Sequence, residues 1–167
     1  YRHDNEPGHH YAYLYNYCNR LDKTQSRLRT ILKDNYKNAP DGLSGNDDCG
    51  QMSAWYIFTA MGFYPVCPGS NEYVPGTPYF DKVTLHLENG KTMTITAEDN
   101  SADNRYIQAM KLNGMGYGKN YLTHEDLLKG GSIVYTMGST PNKARGTADS
   151  DAPYSFSKEL AKSKKKK

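Results

Sequence analysis

The spacing of apolar residues changes from a helical to a strand period near Tyr64. Before that point Leu28, Ile31 and Leu32 fall on one face of a helix, as a period of 3.6 residues requires. The tyrosine-rich run 11–17 is also predicted to be helical. The first third of the chain is therefore predicted to contain two helices.

A third helix is predicted over residues 52–61, where hardly any polar face remains. Its apolar members are Met52, Ala54, Trp55, Tyr56, Ile57, Phe58, Ala60 and Met61. A helix that is apolar on every side has to be covered on every side. The other predicted helices are too few for this, so we expect the segment to lie in a larger helical assembly, part of which is outside these residues.

Strands are predicted after Pro65. Repeated prolines and glycines exclude a helix over residues 66–79. Alternating apolar positions then follow at Val83, Leu85 and Leu87 and return at Met93, Ile95 and Ala97. The Asn89-Gly90 pair between the two sets predicts a hairpin with a two-residue turn.

The remaining pattern completes an α+β chain. Two further strands are predicted over 106–112 and 132–137, and Thr123 is placed to cap a short helix that begins after it. We expect helices first, then an antiparallel sheet, and a loose tail from about Ala144.

Composition narrows the possible functions. No apolar run approaches the roughly 20 residues that span a bilayer. The net charge of +3 comes from the last ten residues, which hold six lysines and a single glutamate, so the body is slightly acidic. A solvated terminal lysine run is favoured over a nucleic-acid site. The 15 tyrosines suit wet clefts, among which are sugar sites. The three cysteines contain no C-x-x-C pair, which disfavours zinc and leaves their redox state open.

The chemistry is predicted at an acidic run that leads directly into the third helix. Asn46, Asp47 and Asp48 lie between two glycines just before it. Carboxylates at a helix start can be simple caps, and that alternative stays open. A cap needs one acceptor, however, whereas an acid/base or metal site needs several oxygens at one point.

A second polar cluster spans residues 2–10. It can be an ordinary polar helix start, in which Glu6 and Pro7 take favourable places. Adjacent His9 and His10 point to different sides of a helix, which disfavours a zinc site. If this loop met the acidic run, Ca²⁺ would be suited, because it takes six to eight oxygen ligands. The available oxygen donors are Glu6, Asn5, Asp48, Asp47 and Asn46.

Several ordered motifs give the chain a family resemblance that extends from Asn5 to Asn142. They are Asn5-Glu6-Pro7-Gly8-His9-His10, Lys23-Thr24-Gln25, Pro40-Asp41-Gly42-Leu43, Gly45 to Tyr56, Gly62-Phe63-Tyr64-Pro65, Gly76-Thr77-Pro78 and Leu112-Asn113-Gly114. In this order the motifs resemble the C-terminal part of glycoside hydrolase family 92, the calcium-dependent, inverting, exo-acting α-mannosidases.

The resemblance implies a domain organisation. Residues 1–64 would be the last helices of a catalytic (α/α)6 barrel, residues 65–143 a β-rich antiparallel C-terminal region, and residues 144–167 a flexible Lys-rich tail. An N-terminal β-sandwich would precede the barrel. The chain is accordingly expected to be a fragment of a larger enzyme.

The resemblance also implies catalytic roles. The general base of the family lies in the acidic motif, which makes Asp48 the candidate base, with Asp47 as the alternative. Asn46 would help to hold the attacking water. The general acid is a glutamate upstream of this segment, so the chain alone is expected to be inactive.

A calcium ion is implied as cofactor. In the family it meets the mannose O2 and O3 hydroxyls and helps to distort the sugar ring. Glu6 is the leading candidate beside the metal, followed by Asn5 and Asp48. His9, His10 and Glu6 are expected to contact the sugar or to position the carboxylates.

The expected substrate is an α-mannoside, with an α-1,2 linkage favoured, in mannose-containing glycans such as N-glycans. The other expected partner is the remainder of the same enzyme, with no nucleic acid and no membrane segment in this chain. By resemblance the enzyme acts outside the cytoplasm. The alternative is a non-catalytic carbohydrate-binding or structural module.

Overall fold

The computed structural model describes residues 1–164. Its helical part comprises the short 3-10 helix Glu6–Gly8, a longer 3-10 helix over Tyr11–Cys18, α1 over Leu21–Asn35 and α2 over Gln51–Met61. Their shared core is made of Ala12, Tyr13, Leu28, Ile31, Leu32, Trp55 and Val74. The predicted face of Leu28, Ile31 and Leu32 is confirmed.

The tyrosine run forms a 3-10 helix. Three residues make one turn of such a helix, so Tyr13 and Asn16 lie on the same face, and both are buried. The Tyr13 hydroxyl lies 2.8 Å from Thr59 Oγ1, and Asn16 Nδ2 donates to the carbonyl of Pro75 at 2.6 Å. These bonds tie the run to α2 and to the following strand region.

Helix α2 buries one side and leaves another uncovered. Met52, Trp55 and Thr59 are fully buried, whereas Ile57 is 56% exposed. The described residues therefore cover only part of the surface of this apolar helix, although its sequence predicts that it is covered on every side.

The strand region forms two sheets. Its strands are β1 over Phe63–Tyr64, β2 over Glu72–Pro75, β3 over Lys82–His86, β4 over Thr92–Glu98, β5 over Tyr106–Leu112, β6 over Met115–Gly116, β7 over Leu122–Thr123 and β8 over Gly131–Gly138. A three-stranded antiparallel sheet has the order β1-β2-β7, and a five-stranded sheet has the order β3-β4-β8-β5-β6. The α+β class is confirmed.

The expectation of an antiparallel sheet is wrong at one pair. Strand β8 lies between β4 and β5 and runs parallel to β4, with Ile95 opposite Ile133. It is antiparallel to β5, so the sheet is mixed. The alternation of apolar residues specifies which side faces the core but not the strand direction. The long connection through β5, β6, β7 and helix α3 (His124–Leu128) supplies the crossover that a parallel pair needs.

The β3–β4 hairpin also differs from the prediction. The Leu87 and Lys91 backbones are paired across a loop of Glu88, Asn89 and Gly90. Gly90 has φ +78°, whereas Asn89 is not among the residues with positive φ. A two-residue type I′ turn needs positive φ at both positions, so the chain adopts a three-residue loop with glycine in the left-handed position.

Helix α3 over His124–Leu128 begins as predicted. The Thr123 side chain accepts from the Asp126 N–H, and the Asp126 side chain accepts from the Thr123 N–H, which forms a complete capping box.

The segment that follows residue 143 is attached to the sheet region over its first part. The Arg145 guanidinium donates to Asn120 Oδ1 at 3.1 Å and to the carbonyls of Tyr117 and Lys119. Asn120 Nδ2 donates to the Gly146 carbonyl at 2.7 Å. Arg145 and Gly146 are therefore bonded to the sheet region, in contrast to the loose tail that was expected from about Ala144.

A 3-10 helix over Asp149–Asp151 and helix α4 over Phe156–Lys164 complete the described chain, and residues 165–167 of the expected tail lie outside it. No helix within residues 1–164 combines the length and the apolar character that a bilayer crossing needs.

Candidate active site

The acidic run forms a tight turn of left-handed residues in front of α2. Gly45 has φ +117°, Asp48 φ +49°, Cys49 φ +55° and Gly50 φ +95°. Asn46 Oδ1 accepts the Asp48 backbone N–H at 3.0 Å and so supports the turn. Left-handed backbone at non-glycine residues is costly and is concentrated at functional sites.

Asp47 caps α2. Gly50 precedes the helix and has no side chain to accept a hydrogen bond, so Asp47 supplies the acceptor. Its Oδ1 accepts the Ser53 N–H at 2.9 Å, and its carbonyl accepts the Met52 N–H at 3.1 Å. Asp47 is therefore a helix cap, as the simpler interpretation of the acidic run predicts. Its carboxylate is already bonded to the start of α2.

Asp48 lies against Glu6. The two carboxyl groups are within hydrogen-bonding reach, so the structure brings the acidic turn and the N-terminal loop together. Partial desolvation and then the negative charge of Glu6 raise the pKa of the Asp48 carboxyl. Asn5 is exposed in the same loop and starts the 3-10 helix that carries Glu6. The geometry thus assembles the three predicted metal-side residues in one region.

His9 is placed beneath this surface. It is 2% exposed, its Nε2 lies 2.9 Å from the His3 carbonyl, and its Nδ1 lies 3.0 Å from Gln51 Nε2. A carbonyl can only accept, so Nε2 carries the proton and Nδ1 accepts from the Gln51 amide. A ring that is buried and bonded at both nitrogens has no surface for a sugar. The expected direct contact of His9 with substrate does not fit this position, whereas a supporting role does.

His10 occupies a different environment. It is half-buried at the start of the 3-10 helix Tyr11–Cys18, and its ring meets the Tyr11 ring edge-on with centroids 4.8 Å apart. The two adjacent histidines therefore differ in accessibility, and only His10 keeps exposed surface.

His3 was not predicted as a site residue, yet it links the N-terminal loop to α2. It is 3% exposed, with Nδ1 2.8 Å from the Tyr1 hydroxyl and Nε2 2.7 Å from the Tyr36 hydroxyl. Tyr36 in turn donates to the Met52 carbonyl at 3.0 Å. Burial lowers the pKa of His3 to about 4, so the ring is neutral near pH 7. No sequence signal connects it with Tyr36, which is far along the chain.

Trp55 of α2 contacts Tyr36 and the N-terminal loop. Its indole is fully buried, is parallel to the Tyr36 ring at 6.0 Å and meets the His3 ring edge-on at 4.3 Å. Its Nε1–H donates to the His9 carbonyl at 3.0 Å. The only tryptophan of the chain thus attaches the N-terminal loop to α2. Its single occurrence is the sequence feature that could have pointed to this role.

The carboxylates lie away from the neighbouring cavity. A cavity of about 650 Å³ runs between the end of α1 and α2 and is lined in part by Leu32, Tyr36 and Ile57. Neither Asp48 nor Glu6 lines it. Within the described residues, no group of three or more histidine, cysteine, aspartate or glutamate side chains forms a metal cluster.

Comparison with known protein families shows which family the chain belongs to. Residues 1–139 match the family model for the glycosyl hydrolase family 92 catalytic domain. This chain belongs to glycosyl hydrolase family 92.

Solved structures of family 92 share the fold. The α-mannosidase BT3965 of Bacteroides thetaiotaomicron is 47% identical with a TM-score of 0.89, over 92% of this chain and 21% of that one. The inverting mannosidase BT2199 of the same species is 50% identical with a TM-score of 0.88, over 94% of this chain and 21% of that one. BT3965 has also been solved in complex with mannoimidazole.

A secreted glycosidase of Arthroderma benhamiae is 35% identical over 155 residues, which are 91% of this chain and 20% of that protein. The chain thus spans about one fifth of the length of these relatives.

Proposed function

We propose that this chain is the part of a calcium-dependent, inverting exo-α-mannosidase that supplies the general base and a share of the metal and substrate site. The substrates are mannose-containing glycans, including N-glycans, with α-1,2-linked terminal mannose. The observation that carries the proposal is the contact of Asp48 with Glu6 in a family 92 chain. Similarity to an α-mannosidase and to an inverting mannosidase supports the reaction class.

Asp48 is the base in this proposal, and Asp47 is not. The Asp47 carboxylate is held by the Ser53 N–H at the helix start, and its protonation would weaken the cap. Asp48 is not tied in this way, so its carboxylate is available to accept a proton. Asn46 keeps the turn closed through the Asp48 N–H. Asp48 then accepts the proton of the water that attacks the anomeric carbon.

Glu6 is not the partner acid. An inverting glycosidase keeps its acid and base carboxyls about 6.5 to 9.5 Å apart, which leaves room for the sugar and the water. The Glu6 and Asp48 carboxyl groups lie within hydrogen-bonding reach of each other, which is closer than this gap. We therefore place the general acid in the remainder of the enzyme, and we expect residues 1–167 alone to be inactive.

The same contact fits a hard cation. Two carboxylates that approach each other repel, and a cation between or beside them relieves the repulsion. Glu6, Asn5 and Asp48 offer the oxygen donors that Ca²⁺ prefers, and the other ligands would come from water, sugar and the rest of the protein. When bound, the ion supplies an electrostatic anchor for sugar hydroxyls. His10, which keeps exposed surface beside this loop, is the substrate-side histidine.

The similarity to a secreted glycosidase supports action outside the cytoplasm. The alternative of a non-catalytic carbohydrate-binding module explains the tyrosines but gives no reason for the two facing carboxylates.

The test is hydrolysis by the complete polypeptide that carries residues 1–167. Mannobioses with α-1,2, α-1,3 and α-1,6 linkages are supplied with calcium, and the first product is followed by proton NMR. We expect the α-1,2 disaccharide to be cleaved fastest and β-mannose to appear before its α anomer. Initial α-mannose would refute inversion, and the absence of hydrolysis would leave the binding-module alternative.

A further inference from the structure

A side-chain hydrogen bond joins the two segments that carry the facing carboxylates. The Gln51 backbone N–H donates to the Asp48 carbonyl at 3.2 Å, and the His9 backbone N–H donates to the Glu6 carbonyl at 2.9 Å. Between these two residues, Gln51 Nε2 lies 3.0 Å from His9 Nδ1. A continuous path of three hydrogen bonds therefore leads from the Asp48 carbonyl to the Glu6 carbonyl.

The His9 end of the path is fixed. The ring is buried, its Nε2–H donates to the His3 carbonyl, and its own carbonyl accepts the Trp55 indole N–H. Because Nε2 carries the proton, Nδ1 presents a lone pair to Gln51. The imidazole cannot turn away without leaving a buried polar group without a partner, which is costly.

The Gln51 end is fixed as well. Its Nε2 also donates to the Tyr64 hydroxyl at 3.1 Å, so the amide nitrogen faces two acceptors. This arrangement determines which end of the amide faces His9. Gln51 is the first residue of α2, so the rigid helix is connected directly to the N-terminal loop.

We propose that Gln51 and His9 are positioning residues whose hydrogen bond sets the separation of Asp48 and Glu6. Neither residue touches the sugar in this assignment. The bond fixes the position of the N-terminal loop relative to α2. The distance between the two carboxyl groups therefore stays constant when a ligand binds. The expected effect on kcat rests on the proposed function. The expected effect on the distance between the two carboxyl groups does not.

The test uses Gln51→Met in the complete polypeptide. Methionine has a similar length but donates no hydrogen bond, and Gln51 is half-buried, so the substitution is sterically mild. Tyr64→Phe is the matched control, because it removes the other hydrogen bond of the same amide and leaves the one to His9. Gln51→Ala serves as a second variant with no possible clash.

Two measurements are made on each variant. Crystal structures give the distance between the Asp48 and Glu6 carboxyl carbons, which we expect to change by roughly 1 Å in both Gln51 variants and to stay constant in Tyr64→Phe. Steady-state kinetics should show kcat lowered by about 100-fold with KM nearly unchanged, since a displacement of that size can reduce turnover to this extent. Tm should fall in both Gln51 variants, because the buried His9 Nδ1 loses its donor.

The outcomes separate the two proposals. An inactive unaltered protein would refute the mannosidase function, and the crystal structures would still test the bridge. Unchanged carboxyl separation in both Gln51 variants would overturn the positioning role. Equal losses in Gln51→Met and Tyr64→Phe would overturn the assignment to the His9 bond.

Discussion

Asp48 and Glu6 face each other with their carboxyl groups within hydrogen-bonding reach, although they belong to loops that are remote in sequence. The contact raises the pKa of Asp48 by desolvation and by the charge of Glu6. It also excludes this pair as the acid and base of an inverting reaction, which need a wider gap. In the proposed function the two carboxylates belong to a cation and sugar site, and the role of each can be tested separately.

Substitution of Asp48 by asparagine should remove the base. We expect kcat of the complete enzyme to fall by at least about 100-fold, because a positioned general base contributes roughly 100- to 10,000-fold. Asparagine keeps the size of the side chain and tolerates left-handed backbone, so the melting temperature should stay close to that of the unaltered protein. Near-normal turnover in a folded variant would remove Asp48 from the base role.

Asp47→Ala is the neighbouring comparison, with the opposite expectation. Loss of the acceptor for the Ser53 N–H should lower the free energy of unfolding by about 1 kcal/mol, as is typical of a lost helix cap. Asp47→Asn can still accept this hydrogen bond and should recover most of the stability. Urea denaturation checks both variants, and equal stability of Asp47→Ala and the unaltered protein would show that the cap is unimportant.

Calcium should bind to the complete enzyme through Glu6. Chelation is expected to abolish turnover, and added Ca²⁺ is expected to restore it. Glu6→Gln should weaken Ca²⁺ binding, measured by isothermal titration calorimetry, by at least about tenfold, a loss that even residues supporting a metal ligand produce. Indifference to chelators, together with unaltered calcium binding by Glu6→Gln, would contradict the metal assignment.

Alkylation of Cys49 should block the site. Its thiol is free and exposed in the residue that follows Asp48, so a bulky maleimide adduct would obstruct the approach of a sugar. Turnover should be lost on labelling, whereas Cys49→Ser should be resistant.

Cys18 and Cys67, which are also free and exposed, provide the control. Replacing both with serine should leave the sensitivity in place. Mass spectrometry establishes the extent of labelling, and full modification of Cys49 with unchanged turnover would show that the substrate approaches from elsewhere.

Arg145→Ala should release the segment that follows the sheet. The guanidinium donates hydrogen bonds to Asn120 Oδ1 and to two carbonyls. Asn120 is buried, so removal of the guanidinium leaves its Oδ1 without this donor, at a cost of about 1 to 3 kcal/mol. Hydrogen exchange at residues 144–154 should accelerate while exchange in β4 and β8 stays slow. Unchanged exchange in that segment would show that other contacts hold it.

Local patterns predicted the parts of the fold that depend on neighbouring residues. Met93, Ile95 and Ala97 alternate in the sequence and are buried together in β4, and strand β5 covers the predicted residues 106–112. Thr123 was predicted to cap a helix and does so. Each of these signals lies within a few residues of the element that it specifies.

Patterns were less informative where a distant partner decides the geometry. The apolar alternation of β8 did not reveal that it runs parallel to β4, because alternation is the same in either direction. The sequence did not show that the two adjacent aspartates make different contacts. Asp47 caps α2, whereas Asp48 lies against Glu6. The sequence left open whether His9 contacts the sugar or positions the carboxylates, because a sequence does not report burial.

The sequence by itself determined the periodicity, the positions of the longer helices and of the longer strands, the acidic turn and, through its ordered motifs, the family. Only the tertiary structure decided which carboxylate is free, which histidine is buried, how the N-terminal loop is joined to α2, and that residues 144–154 are attached to the body. The physical reason is that helix and strand formation depend on contacts within a few residues. Burial, pKa and the approach of two carboxylates depend on atoms that the folded chain brings together from remote positions.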